Sequence, residues 1–510
     1  MTYHNPVISG FYPDPSICKW GDTYYLVCSS FHYFPGVPLF ESKDLINWEQ
    51  IGHVLTKESQ LSLVGAGNAG GIYAPTIRCH NGRFYMTTTH VARNHFYVWT
   101  DEIYGEWSDP IWVDQEGIDP SLYFEGDTVY FMSNGHDEHG KAAVLQCEIE
   151  IETGEKLTPV RVIWHGAGGR YLEAPHLYLI DGTYYLVASE GGTEYGHMVI
   201  YARGATPYGP FENYPKNPVL TNRNLGGYQI QGSGHGDLIQ DRMGYWWMVH
   251  LAFRQIGRYQ MYHHLGREVC LIPITFCEDG WFQTDTDGIT PSIVQTDRLL
   301  SSFQQKKLPI YTFAQDNWQK EWNYIRNPQL ENYRFSQGSL ELLATDITLN
   351  DETYSPTFLG LRQREMYGSV AVTLEVDEQE AGITLYMNES HHYDFAIIHD
   401  KGEKVLVKRR RIGDMEYIQQ CTRIVGGHVR LIITFTNENY FFSAQTSLEH
   451  FDFGFANVKY LSTEVADGFT GVMIGLYAQG MSETSDYTAR FTAFHCEYTE
   501  GMIDGNEEKL

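Results

Sequence analysis

The sequence predicts an all-β protein, with an N-terminal five-bladed β-propeller followed by a C-terminal β-sandwich. Three observations carry this. One short hairpin word recurs five times within the first 300 residues. Helical periodicity is nearly absent. Beyond about residue 300 the recurring word gives way to longer strands of alternating apolar and polar residues.

The repeats come first in the chain. Strands bearing an aromatic or apolar pair occur at Tyr24-Tyr25, Phe84-Tyr85, Val129-Tyr130, Tyr184-Tyr185 and Trp246-Trp247, about 45 to 60 residues apart. Ten residues before the first member of each pair stand Asp14, Ala74, Asp119, Ala174 and Gly236. The local words are Pro13-Asp14-Pro15-Ser16, Tyr73-Ala74-Pro75-Thr76, Ile118-Asp119-Pro120-Ser121, Glu173-Ala174-Pro175-His176 and His235-Gly236-Asp237-Leu238. Proline follows the slot in four of the five, and because it restricts the residue before it and removes a donor, those slot residues have little backbone freedom. Each word leads into a strand and a tight turn, such as Asn81-Gly82 or Asp181-Gly182, and then the aromatic strand, which is a hairpin signal. A long sandwich holds as many strands but does not explain why one word opens every unit. In a propeller the innermost strand of each blade lines a common axis, so five equivalent strand starts converge at one end of it. That register gathers Asp14, Asp119 and Glu173, although Asp14 and Glu173 are far apart in the chain.

The propeller is placed at residues 1–300, a linker at 301–313 and the sandwich at 314–510. Sandwich strands are expected at Ser369 to Val376, Gly382 to Met387, Leu431 to Phe435 and Gly471 to Tyr477, separated by Gly, Asn and Asp turns. The last ten residues, rich in Gly, Asp and Glu, read as a frayed tail.

Composition narrows the partners. The net charge of −28 repels nucleic-acid phosphates and anionic membranes, so neither is an expected partner. Aromatics make up 14% of the chain, which suits half-buried strands and also the flat faces of sugars. No apolar run approaches the roughly 20 residues of a membrane span. The first residues lack the basic and apolar regions of an export signal, and the eight cysteines show no C-x-x-C pair. Free thiols in a reducing, cytoplasmic compartment are therefore expected. A homo-oligomer is compatible with the sequence, which carries no direct sign of one.

Three carboxylates at one end of a propeller suit glycosidic cleavage. That reaction needs an acid to protonate the leaving oxygen and a second carboxylate to activate water or attack directly. A third carboxylate raises the acid's pKa by like-charge repulsion. Taken singly, each Asp-Pro-Ser is an ordinary turn and Glu173 an ordinary surface residue. Their meaning comes from shared register.

At this point the chain resembles glycoside hydrolase family 43, in its β-xylosidase and α-L-arabinofuranosidase branch with a C-terminal β-sandwich. The resemblance rests on Asn5-Pro6-Val7, Tyr12 to Ser16, Gly71 to Thr76, Gly117 to Ser121, Glu173 to His176 and Gly266-Arg267-Glu268. It implies an inverting exo-glycosidase with Asp14 as general base, Glu173 as general acid and Asp119 tuning the acid's pKa. Arg267 matches an arginine that contacts substrate hydroxyls. Tyr73 stands where many xylosidases carry a stacking Trp, and Phe31 reads as a pocket wall or a core aromatic. His235 matches a histidine that in many relatives faces water around an axial calcium. It reads equally as a satisfied core histidine, and no acidic calcium cage is visible. No cofactor is implied for the chemistry. The expected substrates are short pentose-containing oligosaccharides from arabinoxylan, arabinan or xylan. The Gly-rich loop Glu190 to His197 and Ala74 to Arg78 lean toward arabinofuranosides, with β-xylosides as the alternative. Two other readings are weaker. A retaining fructan hydrolase opens with a Trp-Met-Asn-Asp-Pro-type word, absent here, and a sugar-binding propeller has no need of three converging carboxylates.

Overall fold

The computed structural model describes residues 1–257, 259–299, 304–313, 318–336, 338–480 and 488–499. The expected tail at 501–510 and part of the expected linker lie outside them. Among the described residues the chain is almost entirely strand and turn. It divides into two compact units.

The first unit spans Met1–Tyr259 and Gly266–Lys306. Among its described residues are five four-stranded antiparallel sheets, each a meander; in four the strands are consecutive, and in the first the two-residue strand Tyr33–Phe34 intervenes outside the sheet. Their first strands are Ser16–Trp20, Thr76–His80, Ser121–Glu125, Glu173–Ile180 and Ile230–Gln240. The turn chemistry explains the tight hairpins. In Asn81-Gly82 and Asp181-Gly182 both residues have positive φ, 51° with 84° and 49° with 78°, as a two-residue turn matched to strand twist requires. Each first strand touches the first strand of the next sheet, and that of the fifth touches that of the first, so the series closes. The apolar cores lie between neighbouring sheets. Leu26, Phe40, Trp247 and Leu271 join the first and fifth. Val187, Tyr201, Met248 and Phe282 join the fourth and fifth. Val144 and Leu186 join the third and fourth, and Tyr97 and Phe131 the second and third. Strands buried on both faces need this aromatic and β-branched filling, which accounts for the composition. Thr2–His4 pairs with Ile293–Gln295, tying the start of the unit to its end.

The fifth repeat corrects the sequence register by one residue. Pairings Ser16 with Val27, Ser121 with Met132, His176 with Val187 and Asp237 with Val249 are equivalent. Two residues before each stand Asp14, Asp119, Ala174 and His235, so His235 and not Gly236 occupies the slot. The cause is the turn. Residues 180–183 separate Leu179 from its partner Tyr184, whereas 241–245, one residue more, separate Gln240 from Trp246. Four of the five slot residues, Asp14, Asp119, Ala174 and His235, share a left-handed backbone, with φ of 56°, 54°, 54° and 52°; Ala74 does not. Non-glycine residues in that region store strain, and such strain collects at functional sites.

The second unit comprises Lys307–Leu510 together with Gln260–Leu265. That short segment lies within the region 1–300 assigned to the propeller from sequence, and its contacts group it elsewhere. The backbone N–H groups of Thr463 and Val472 donate to the carbonyls of His263 and His264, and His263 Nδ1 lies 2.8 Å from Glu464 Oε1. Among its described residues are an eight-stranded and a six-stranded antiparallel sheet. The expected strands appear as Gly368–Val376, Glu380–Asn388, Val429–Phe435 and Met473–Gln479. Rings from the two sheets meet, Phe395 with Phe442 at 5.6 Å and Tyr393 with Tyr440 at 6.3 Å. All eight cysteines are free thiols.

Candidate active site

Asp14 is held from several sides. Its backbone is positioned by the Tyr12 N–H, which donates to the Arg267 carbonyl at 3.0 Å, and by Gly10, whose N–H donates to Glu268 Oε1 at 2.8 Å. Its side chain is buried. Oδ1 accepts from Arg267 Nη1 at 2.7 Å, and Oδ2 accepts from Ser29 Oγ at 2.5 Å. Burial by itself raises a carboxyl pKa. Here Arg267, then His235 and the Ser29 hydrogen bond, outweigh it and hold Asp14 below the usual range.

Asp119 has the opposite environment. It is buried too, and the Ala174 N–H donates to its Oδ2 at 3.1 Å. Burial, then the charges of Glu173 and Asp14, push its pKa well above the usual value. Two carboxylates in equivalent slots are thus pulled in opposite directions by their surroundings. Glu173, at the start of the fourth sheet, is paired with Ser189 across the strands and is partly exposed. Its Oε1 lies 2.9 Å from Nε2 of the fully buried His197. Gly234 makes room for that ring, since a Cβ there stands 2.3 Å from His197 Nδ1.

The remaining predicted residues gather around these three. Arg267 is buried, donates to Thr193 Oγ1 at 2.9 Å, and lies 5.7 Å from the Phe31 ring centre. Phe31 sits 5.2 Å from Tyr73 and 5.9 Å from Phe11. The Tyr73 hydroxyl donates to the Ala69 carbonyl. Burial raises its pKa, and the charges of Arg267, Asp119 and Asp14 all reach it. His235 Nδ1 lies 3.8 Å from Asp14 Oδ1, and its backbone N–H donates to Ser189 Oγ at 2.6 Å. Burial lowers the His235 pKa despite the charges of Asp14 and Glu173.

Sequence reasoning missed several partners. Ser29, Thr193, His197 and Ser189 carry no motif, though Thr193 and His197 lie in the Gly-rich loop already singled out. Glu190 was seen only as loop composition. It is buried, and its carboxylate accepts from the N–H groups of Ala167, Gly168 and Gly169 at 2.9, 3.2 and 2.9 Å. It thereby fixes the loop that delivers Glu173.

Arg267→Ala leaves Asp14 buried without its main partner. Breaking a buried ion pair this way costs about 3–5 kcal/mol. Urea denaturation checks that loss. Because Arg267 lowers the Asp14 pKa, its removal also moves the acid limb of kcat/KM to higher pH.

Comparison with known proteins follows the same residues. Residues 3–282 match the profile described as "Glycosyl hydrolases family 43", and 311–497 match "Beta xylosidase C-terminal Concanavalin A-like domain". The chain is 38% identical over 508 residues to a protein of Bacteroides ovatus named "Non-reducing end alpha-L-arabinofuranosidase BoGH43B", covering 97% of this chain and 94% of that one. It is 34% identical to a "Xylosidase/arabinosidase" of Butyrivibrio fibrisolvens, covering 97% of this chain and 99% of that one. The solved structure titled "Bacteroides ovatus Xyloglucan PUL GH43B" superposes with a TM-score of 0.92 at 35% identity, covering 98% of this chain and all of that one. A family profile over more than half the chain, and relatives this similar along their whole length, establish that the chain belongs to glycosyl hydrolases family 43 and is a glycoside hydrolase.

Proposed function

We propose that this hydrolase removes terminal α-L-arabinofuranosyl residues, and β-D-xylosyl residues as a second substrate, from short arabinoxylan-, arabinan- or xylan-derived oligosaccharides, with inversion. The observation that carries the mechanism is the split among the three carboxylates. Asp14 is kept ionised by Arg267 and Ser29. Asp119 is buried and pushed toward its protonated form. Glu173 is partly open beside His197. An ionised Asp14 takes a proton from water as that water attacks the anomeric carbon. Glu173 gives its proton to the leaving oxygen. Asp119, hydrogen-bonded to the backbone N–H after Glu173, offers a partner to a sugar hydroxyl and, in whatever fraction is ionised, favours the protonated acid. The Arg267 guanidinium, fixed by Asp14 and Thr193, orients substrate hydroxyls, and Phe31 and Tyr73 wall the pocket.

In this reading the five closed sheets are the blades of a propeller, with the site at the mouth of its axis, and the two sheets of the second unit form a sandwich. The closure of the inner strands and the cores between neighbouring sheets support it. Arabinofuranoside preference is supported by the Bacteroides ovatus relative's name and by Tyr73, which gives a smaller stacking face than Trp. Relatives named β-xylosidase favour the second substrate.

Metal takes no part in the proposed steps. Calcium takes six to eight oxygen ligands. His235 offers one imidazole beside Asp14, whose oxygens Arg267 and Ser29 engage. Among the described residues no three His, Cys, Asp or Glu side chains could hold a metal ion. These donors do not fit a directly ligated calcium.

Two results test the reading. The ratio of kcat/KM on nitrophenyl α-L-arabinofuranoside and β-D-xylopyranoside is expected to favour the former; a strong reverse preference makes the protein a xylosidase. Asp119→Asn is expected to lower kcat/KM yet raise Tm at pH 7. The folded pKa of Asp119 lies above its unfolded value near 3.8, so its contribution to stability is fully present below that value and is lost as pH rises. Asn also tolerates the left-handed backbone. At pH 3 the Tm gain is expected to vanish.

A further inference from the structure

The acid protonates the oxygen of the departing sugar, so that sugar lies on the Glu173 side of the cleaved bond. Two residues before Glu173 stands Tyr171, which is 63% exposed with a left-handed backbone, φ 53°. Scattered exposed tyrosines are ordinary. A β-carbon-bearing aromatic held in a strained conformation two residues from the candidate acid is not.

The ring has a built support. A Cβ at Gly192 stands 2.9 Å from Tyr171 Cδ2, so the ring lies against a backbone that only glycine leaves open, and Gly192 itself has φ 81°. The Arg170 guanidinium lies 5.2 Å from the ring's centre, and the ring stays 63% exposed. The two loops concerned are locked together. Gly191 N–H donates to the Arg170 carbonyl at 2.7 Å, Arg170 Nε donates to the Gly191 carbonyl at 3.0 Å, and Arg170 pairs with Glu194. Beneath them the buried Glu190 gathers three backbone donors. Thr193, the next residue after Gly192, bonds Arg267 and so joins this platform to Asp14. Loops fixed to this degree place a side chain reproducibly.

We propose that Tyr171 is the platform on which the leaving-group sugar rests, its aromatic face receiving the C–H face of a neutral sugar ring while Arg170 and Glu194 reach hydroxyls at the ring's edge. This assignment rests on the glycosidase reading above. It makes Tyr171 a determinant of leaving-group preference, separate from the groups that hold the pentose being released.

The test compares Tyr171→Ala and Tyr171→Phe with the unaltered enzyme on two substrates: a pentose disaccharide, whose leaving group is a sugar ring, and the matching pentosyl azide, whose leaving group has no ring. Inhibition by the free pentose is measured alongside. Tyr171→Ala is expected to lower kcat/KM on the disaccharide about tenfold or more, mainly through KM, as loss of one binding face does. Azide hydrolysis and pentose inhibition are expected to stay within about twofold. Tyr171→Phe, which keeps the ring, is expected to stay close to the unaltered enzyme on both. An equal loss on both substrates, or no loss on the disaccharide, overturns the assignment. Failure of the unaltered enzyme to cleave either substrate overturns instead the glycosidase reading on which it rests.

Discussion

Asp14→Asn lowers kcat by about 10²–10⁴-fold, the range of a lost general base, on every pentoside tested. Asparagine keeps the shape and accepts the left-handed backbone, so the loss is chemical rather than conformational. It also reduces stability, with a sign opposite to Asp119→Asn. The folded pKa of Asp14 lies below its unfolded value near 3.8. Ionised Asp14 therefore contributes stability above that value, which is lost as pH falls through the folded pKa. At pH 7 the substitution removes this contribution and leaves Arg267 without its buried carboxylate. The two Tm differences, measured side by side at pH 7 and pH 3, check the split between the carboxylates independently of activity. A Tm change of the same sign for both at pH 7 contradicts it.

Glu173→Gln gives the second large effect, with a different signature. Glutamine has no proton to give, so cleavage of sugar leaving groups falls by about 10²–10⁴-fold. A dinitrophenyl group leaves without protonation, so its release falls far less. The pH profile on that substrate also loses its basic limb, because the acid's titration no longer limits the rate. A uniform loss across leaving groups sinks the role of acid for Glu173.

Much of this site was legible because it is repeated. Asp14 and Asp119 fall in one slot of one hairpin word, and the closed series of inner strands brings them together with Glu173. Turn chemistry such as Asn81-Gly82 and Asp181-Gly182 identified the hairpins without any alignment. The fifth slot was misplaced by one because its turn, 241–245, carries an extra residue that composition does not announce. Support contacts were illegible for a different reason. Ser29, Thr193 and His197 meet the carboxylates only after loops distant in sequence close, and Glu190 acts through backbone N–H groups, which leave no trace in side-chain patterns. The segment Gln260–Leu265 was assigned with its neighbours because six residues are too few to show a period.

The pairing of an ionised base with a separate acid implies one stereochemical outcome. An inverting arrangement holds its two carboxyl groups roughly 6.5–9.5 Å apart, with the attacking water between. Proton NMR of the first-formed product, followed during cleavage of an α-L-arabinofuranoside before mutarotation, reads this directly. The expected initial anomer is β-L-arabinofuranose, and α-xylose from a β-xyloside. Initial release of the retained anomer would show a covalent glycosyl intermediate and contradict the role of Asp14 as a base acting through water.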